Sequence, residues 1–166
     1  MCHRRLVGII LALGLSVGCS SQRAPGPVPA PAAVSVPGVA SVVVTVAGSI
    51  PLDRQERFTK VDGPSRLTRA IESELSHAGR LDRESGRVLE VQVTRYRLRS
   101  GATTFWFGLM AGADLLDVKA TVRTGDQVLK EYTTGAGTTG AFAGLDQVSR
   151  FEKLASAVSK RVVEQL

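Results

Sequence analysis

The stretch LLDVKATVRTGDQVLKEY, residues 115–132, decides the fold of this chain. Its first half alternates apolar and polar side chains, which is typical of a strand with one face buried and the other face in water. The residues TGDQ at 124–127 have the composition of a tight turn, and a second strand returns over residues 128–133. The pattern predicts an antiparallel hairpin whose first strand covers residues 115–123.

The residues before the hairpin indicate a strand followed by a helix. Residues 39–46 (VASVVVTV) are β-branched and almost continuously apolar, which is typical of a central strand covered on both faces. A loop through Pro51 and Asp62 leads to a helix that Pro64 begins and Gly79 ends. A strand followed by a helix is the first half of a crossover, so we expect the next strand to run parallel to the first.

The remaining elements are that next strand and a closing helix. The strand covers residues 88–99, and its apolar phase changes after Val93, which predicts either a β-bulge or a strand end that leaves the core. Asp146 has the side chain of an N-cap, and apolar residues recur at helical spacing from there to Leu166. We therefore predict an α/β domain, specifically an α+β two-layer sandwich of order β-α-β-β-β-α. Two helices should cover one face of its mixed four-stranded sheet.

The N-terminus predicts export and lipid attachment. Two arginines precede an aliphatic run that is too short to span a membrane. The ending SVGC (residues 16–19) resembles the bacterial lipobox, which implies that residues 1–18 are a signal peptide and that Cys19 carries the lipid. An ordinary secretory signal with an incidental Cys19 is the alternative. Ser20 follows the cysteine instead of Asp, which favours the outer membrane, or the cell membrane in an organism with one membrane.

Composition divides the rest of the chain and restricts its partners. Residues 19–38 are a tether rich in proline and alanine, and residues 39–166 form a single domain. The formal net charge is +6, and it becomes +4 once the signal peptide and its two arginines are removed. Behind an export signal, this charge suits lipid headgroups or cell-wall polymers rather than nucleic acid. We expect a membrane contact through the lipid and an envelope protein or cell-wall partner, and the oligomeric state stays open.

The residue types argue against catalysis and metal binding. The chain has only 2 Cys and 2 His, and His77 stands alone in the first predicted helix. Residues 135–140 (GAGTTG) match the dinucleotide-binding pattern G-x-G-x-x-G, but that site needs a helix beginning at the glycines and a further strand with an acid. A hairpin-like loop is the alternative that we favour. We predict a non-enzymatic protein with no cofactor and no metal.

Two groups of residues are candidates for partner contact. The first is a set of arginines that alternate at the end of the second strand: Arg95, Arg97 and Arg99. They should share one face, which either contacts an anionic lipid, glycan or acidic partner or is simply a wet face that protects the sheet. The second is an aromatic run in the following connection: Phe105, Trp106 and Phe107. These rings either present an apolar patch, with Trp106 at least partly exposed, or close one end of the core.

The arrangement resembles a family of bacterial lipoproteins called domain of unknown function 4410. The resemblance rests on the lipobox, the proline tether, the basic strand VTRYRLRSG (residues 93–101), a Gly/aromatic connection, the hairpin, a Gly-rich loop and the closing helix. The architecture is also similar to the anticodon-binding-like domains of envelope lipoproteins such as the curli secretion lipoprotein and the activators of peptidoglycan synthases. The resemblance implies a non-catalytic role as an envelope interaction or accessory module. The alternative is a lipoprotein that binds a small ligand or an anionic glycan through the arginine face.

Overall fold

The computed structural model describes residues 38–99, 113–138 and 145–166. The elements in chain order are β1 Ser41–Val46, α1 Leu52–Lys60, α2 Gly63–His77, β2 Arg87–Arg97, β3 Asp114–Thr124, β4 Gln127–Thr138 and α3 Gln147–Glu164. The strands form one sheet in the order β1-β2-β3-β4. β1 and β2 are parallel, and the two other pairs are antiparallel. The predicted α+β fold with a four-stranded mixed sheet is confirmed.

The hairpin of β3 and β4 is longer than its sequence pattern indicated. The inward residues of β3 are completely buried: Leu116, Val118, Ala120 and Val122. The predicted turn is present, with Gly125 at φ 55°, but β4 continues past residue 133 to Thr138. Gly135 and Gly137, which suggested a loop, lie in this strand. Side chains of β3 occupy the space that a side chain at either position would need. A Cβ at Gly135 would collide with the carboxylate of Asp117, and a Cβ at Gly137 would lie 2.8 Å from Leu115 Cδ2.

The first strand lies at an edge of the sheet, so the prediction of a central strand covered on both faces is wrong. The Cα register pairs β1 with β2 on one side, and the hairpin lies beyond β2. Val42 is buried toward the helices, whereas Val43 points to the opposite side and is 45% exposed. β-branched residues favour a strand whether or not both of its faces are covered. The continuous apolar run therefore predicted the strand but not its place in the sheet.

The structure contains one helix that the sequence pattern did not predict. α1 lies where a loop was expected, and Phe58 is its only buried residue, while Leu52 is 76% exposed. A single buried side chain gives no helical repeat of apolar positions. The Phe58 ring makes edge contacts with Tyr96 and Phe151, with centroids 5.0 Å and 5.6 Å away. The element order is therefore β-α-α-β-β-β-α instead of β-α-β-β-β-α.

The two long helices pack on one face of the sheet, as predicted. Both contribute side chains that are fully buried: Leu67, Ile71 and Leu75 from α2, and Phe151, Leu154, Val158 and Val162 from α3. Asp146 is the N-cap of α3, because its carboxylate accepts the backbone N–H of Ser149 at 3.0 Å. The predicted bulge in β2 lies between Val93 and Arg95. None of the helices in the described ranges is long and apolar enough to cross a bilayer.

Candidate functional site

The sheet face opposite the helices is not covered by any described element. Its central part is a shallow bowl of about 380 Å³. The bowl is lined by residues from all four strands: Val43, Thr45, Glu90, Gln92, Lys119, Thr121, Arg123, Val128 and Glu131. The strand register places them in rows across the sheet, such as Val43–Glu90–Thr121–Glu131. We call this outward-facing surface the open face.

The charges of the bowl are ordered by this register. Glu90 and Glu131 occupy one row, and the basic residues Lys119 and Arg123 lie in the rows on either side. Lys119 Nζ is 3.0 Å from Glu131 Oε2, and Arg123 Nη1 is 3.5 Å from Glu90 Oε1. All four side chains are at least 38% exposed, so each pair stabilises the fold by no more than about 1 kcal/mol. Such pairs can exchange partners at low cost when another molecule approaches.

Apolar side chains stand at both margins of the bowl. Val43 on β1 is 45% exposed and Val128 on β4 is 46% exposed. They lie on the two edge strands, with the polar rows between them. A polar centre between two exposed apolar margins gives this face both directional contacts and area that association can desolvate.

The structure gives the three candidate arginines two different environments. Arg95 lies on the open face, where its Nε and Nη2 atoms are 2.7 Å and 2.6 Å from Asp117 Oδ2. Arg97 has the same orientation and is half-buried. The prediction that all three share one wet face is wrong for Arg99, which is only 6% exposed. β2 ends at Arg97, and the Arg99 side chain then turns toward Asp114, with Nε 3.4 Å from Oδ1.

Arg99 belongs to a buried ionic cluster that the sequence analysis missed. Asp114 is completely buried and Arg150 is 2% exposed. Arg150 donates from Nε to Asp114 Oδ2 at 2.9 Å, and from Nη2 to Oδ1 and Oδ2 at 2.5 Å. Its Nη1 donates to the Arg99 carbonyl at 3.0 Å, and the Arg99 N–H donates to Asp114 Oδ1 at 3.0 Å. A charged residue at an inward position of β3 was the signal that could have revealed this cluster.

Hydrogen bonds and nearby positive charges favour the ionised form of Asp114. Burial alone raises the pKa of its carboxyl group, but the hydrogen bonds from Arg150 and from the Arg99 backbone, together with both guanidinium charges, outweigh burial. The pKa of Asp114 therefore lies below its ordinary value, and the group is a carboxylate at neutral pH. At neutral pH the cluster therefore contains an ionised carboxylate that hydrogen-bonds to two arginines.

The other described groups with shifted pKa values also have structural causes. Burial raises the pKa of Tyr96 and of Tyr132, and the Tyr132 hydroxyl donates to the Val162 carbonyl at 2.7 Å. The pKa of Asp146 is lowered because its carboxylate accepts the N–H and the hydroxyl of Ser149. Within the described ranges, no group of three or more His, Cys, Asp or Glu residues is placed to hold a metal ion.

Several sequence-predicted residues lie outside the described ranges. These are the lipidation site Cys19 and the aromatic residues Phe105, Trp106 and Phe107. The first four residues of the G-x-G-x-x-G match lie at the end of the edge strand β4, not in a turn that opens a helix. This placement differs from the phosphate-binding geometry of a dinucleotide site.

No family model and no curated protein matches the sequence. Solved structures do match. The PelC dodecamer from Paraburkholderia phytofirmans is 14% identical over 80% of this chain and 90% of that chain, with a TM-score of 0.50. The protein XCC0632 from Xanthomonas campestris, of the family DUF330, is 13% identical over 81% of this chain and 86% of that chain, with a TM-score of 0.52. At these identities the similarity shows a shared fold.

Proposed function

We propose that this chain is a bacterial lipoprotein whose α+β domain is a non-enzymatic interaction module of the cell envelope. The lipid on Cys19 anchors it in the outer membrane, with the domain facing the periplasm. The open face is the surface through which the domain works. The observation that carries this proposal is a sheet face that no described element covers, with a polar bowl and exposed apolar side chains at both margins.

The anchor is supported by the sequence before the domain. The lipobox-like residues 16–19 are followed by a proline-rich tether that ends near Gly38. A proline-rich segment extends by about 3.1 Å per residue, so the tether reaches far enough to hold the domain away from the bilayer. Replacing Cys19 by Ala should abolish metabolic palmitate labelling and leave the precursor unprocessed. Labelling that survives this change would rule out the anchor.

The non-enzymatic role is supported by the described titratable groups. The shifted ones act as an ion pair, as buried phenols or as a helix cap. None of these environments moves a pKa toward neutrality, as a general acid or base requires. The charged side chains of the bowl are instead paired and solvated, which suits recognition.

Assembly of several copies is the interaction that we favour. The PelC dodecamer has the same fold as this chain and consists of many copies. Many copies can join through a self-complementary surface or through two different surfaces of neighbouring copies. The open face offers one such surface, because its acidic row between basic positions can pair with charges on another copy. Phe105, Trp106 and Phe107 are proposed as further partner contacts.

A second function is binding of a small ligand or an anionic glycan on the same face. The bowl has a volume of about 380 Å³, which is within the range of small-molecule sites. Its lining includes hydroxyl, amide and charged groups, and Arg95 and Arg97 continue the face beyond it. Saturable glycan binding that is lost in Arg97→Ala would favour this function over self-assembly.

In-cell photo-crosslinking tests the interaction module directly. A photoreactive amino acid at Gln92 lies in the bowl, and one at Ser156 lies on the exposed side of α3 as the matched control. We expect crosslinks at Gln92 to give a ladder of multiples of the chain mass, with little product from Ser156. Equal crosslinking at both positions, or none at Gln92, would contradict the proposal.

A further inference from the structure

The buried ionic cluster holds more positive than negative charge. Arg99 and Arg150 are both at least nine-tenths buried, and Asp114 is the one carboxylate in the described ranges that hydrogen-bonds to either of them. All 15 Asp and Glu residues of the chain lie within those ranges, so residues 100–112 and 139–144 contain no carboxylate. One buried guanidinium charge is therefore without a counter-charge from the chain. An uncompensated buried charge is strongly destabilising.

Three buried polar atoms without partners belong to residues that the strand register places near Asp114 or that follow β2 directly. Arg99 Nη1, the Tyr96 hydroxyl and Thr138 Oγ1 are buried, and none has a hydrogen-bond partner in the part of the chain that the structure describes. Thr138 is paired with Asp114 across β3 and β4, so both side chains leave the sheet on the same side. Tyr96 is paired with Leu116, the next inward position on β3. Buried donors without acceptors indicate a bound water or ion.

We propose that these groups bind a small oxyanion, of the size of phosphate or sulfate, at this end of the domain. One guanidinium nitrogen and two hydroxyls can each donate to a different oxygen of such an ion, and guanidinium groups favour oxyanions for this reason. The single negative charge of dihydrogen phosphate would balance the positive charge of the one guanidinium group that has no counter-charge. Arg99 is only 6% exposed, so little of its side chain is accessible to a lipid headgroup or a glycan. The site is separate from the open face and does not depend on its function.

Thermal unfolding of the full chain in detergent tests the site. Circular dichroism gives the Tm in sodium phosphate, sodium sulfate and sodium gluconate at equal ionic strength and pH, gluconate being too bulky to enter. We expect phosphate and sulfate to raise the Tm by about 3–6 °C for each tenfold increase above the dissociation constant. A Tm that is the same in all three salts would overturn the proposal.

Three variants separate binding from a general salt effect. Tyr96→Phe and Thr138→Val each remove one of the unpartnered hydroxyls, while Tyr132→Phe removes a hydroxyl that already donates to Val162. The first two variants should lose most of the oxyanion-dependent rise, and Tyr132→Phe should keep it. If no ion binds, deleting an unpaired buried hydroxyl should be neutral or stabilising in every salt. A phosphate-dependent rise that is unchanged in Tyr96→Phe and Thr138→Val would also overturn the proposal.

Discussion

Two aspartates of β3, Asp114 and Asp117, each pair with an arginine but lie on opposite faces of the sheet. Asp114 is completely buried under the helices and has hydrogen bonds from two arginines. Asp117 faces the open side, where its partner Arg95 is 60% exposed in its side chain. Water can replace the partner of Asp117 but not the partners of Asp114. The same pair of residue types is therefore structural on one face and exchangeable on the other.

The difference between the two aspartates extends to the whole sheet. On the covered face, the inward side chains of β3 are completely buried, and the packing there stabilises the domain. On the open face, the side chains form exposed ion pairs, and their contribution to the free energy of unfolding is small. The covered face stabilises the domain and the proposed partner contact lies on the open face, so substitutions should separate the two.

The largest expected effect is at the buried aspartate. Asp114→Ala leaves two guanidinium groups buried without a carboxylate, which should cost about 3–5 kcal/mol of the free energy of unfolding. Asp117→Ala is the matched control on the open face, and it should cost less than about 1 kcal/mol. Urea unfolding of the full chain in detergent measures both. Equal midpoints for the two variants would show that burial does not distinguish these pairs.

A smaller but still large effect is expected in the covered core. Leu154 of α3 is completely buried, so Leu154→Ala should cost about 2–5 kcal/mol through lost burial and a residual cavity. Val43→Ala removes an apolar side chain from the open face and should change the free energy of unfolding by no more than about 0.5 kcal/mol. The same urea titrations compare the two. An unchanged midpoint in Leu154→Ala would mean that α3 is not docked as described.

The sequence predicted the elements that depend on local pattern. The alternation of residues 115–123 identified β3 and its wet face, and the apolar repeat after Asp146 identified α3. The edge position of β1 and the existence of α1 were missed because burial and the contacts of Phe58 come from the tertiary structure. The ionic cluster was missed for a similar reason. Asp114 and Arg150 are 36 residues apart, and no local repeat connects them.

A third expected effect depends on pH. The pKa of Asp114 is lower in the folded chain than in the unfolded chain, so its stabilisation is complete above an unfolded pKa of about 3.9 and is lost as pH falls through the folded value. The urea midpoint should be level between about pH 5 and 7 and should fall below about pH 4. Asp146→Asn keeps an N-cap side chain but removes the other aspartate whose pKa is lowered. If the urea midpoint of Asp146→Asn no longer falls at acid pH, the pH dependence comes from Asp146 and not from Asp114.

Self-assembly through the open face is tested most directly by the mass of the full chain in detergent, measured by native mass spectrometry for a matched pair of variants. Gln92→Arg puts bulk and charge into the bowl without removing any of the ion pairs described there, and Ser156→Arg makes the same change on the exposed side of α3. We expect a multi-copy assembly for the wild-type chain and for Ser156→Arg, and single or few copies for Gln92→Arg, whose circular dichroism spectrum should still be that of the folded chain. A wild-type chain that is a monomer, or a Gln92→Arg variant that keeps the wild-type mass, would contradict self-assembly through the open face.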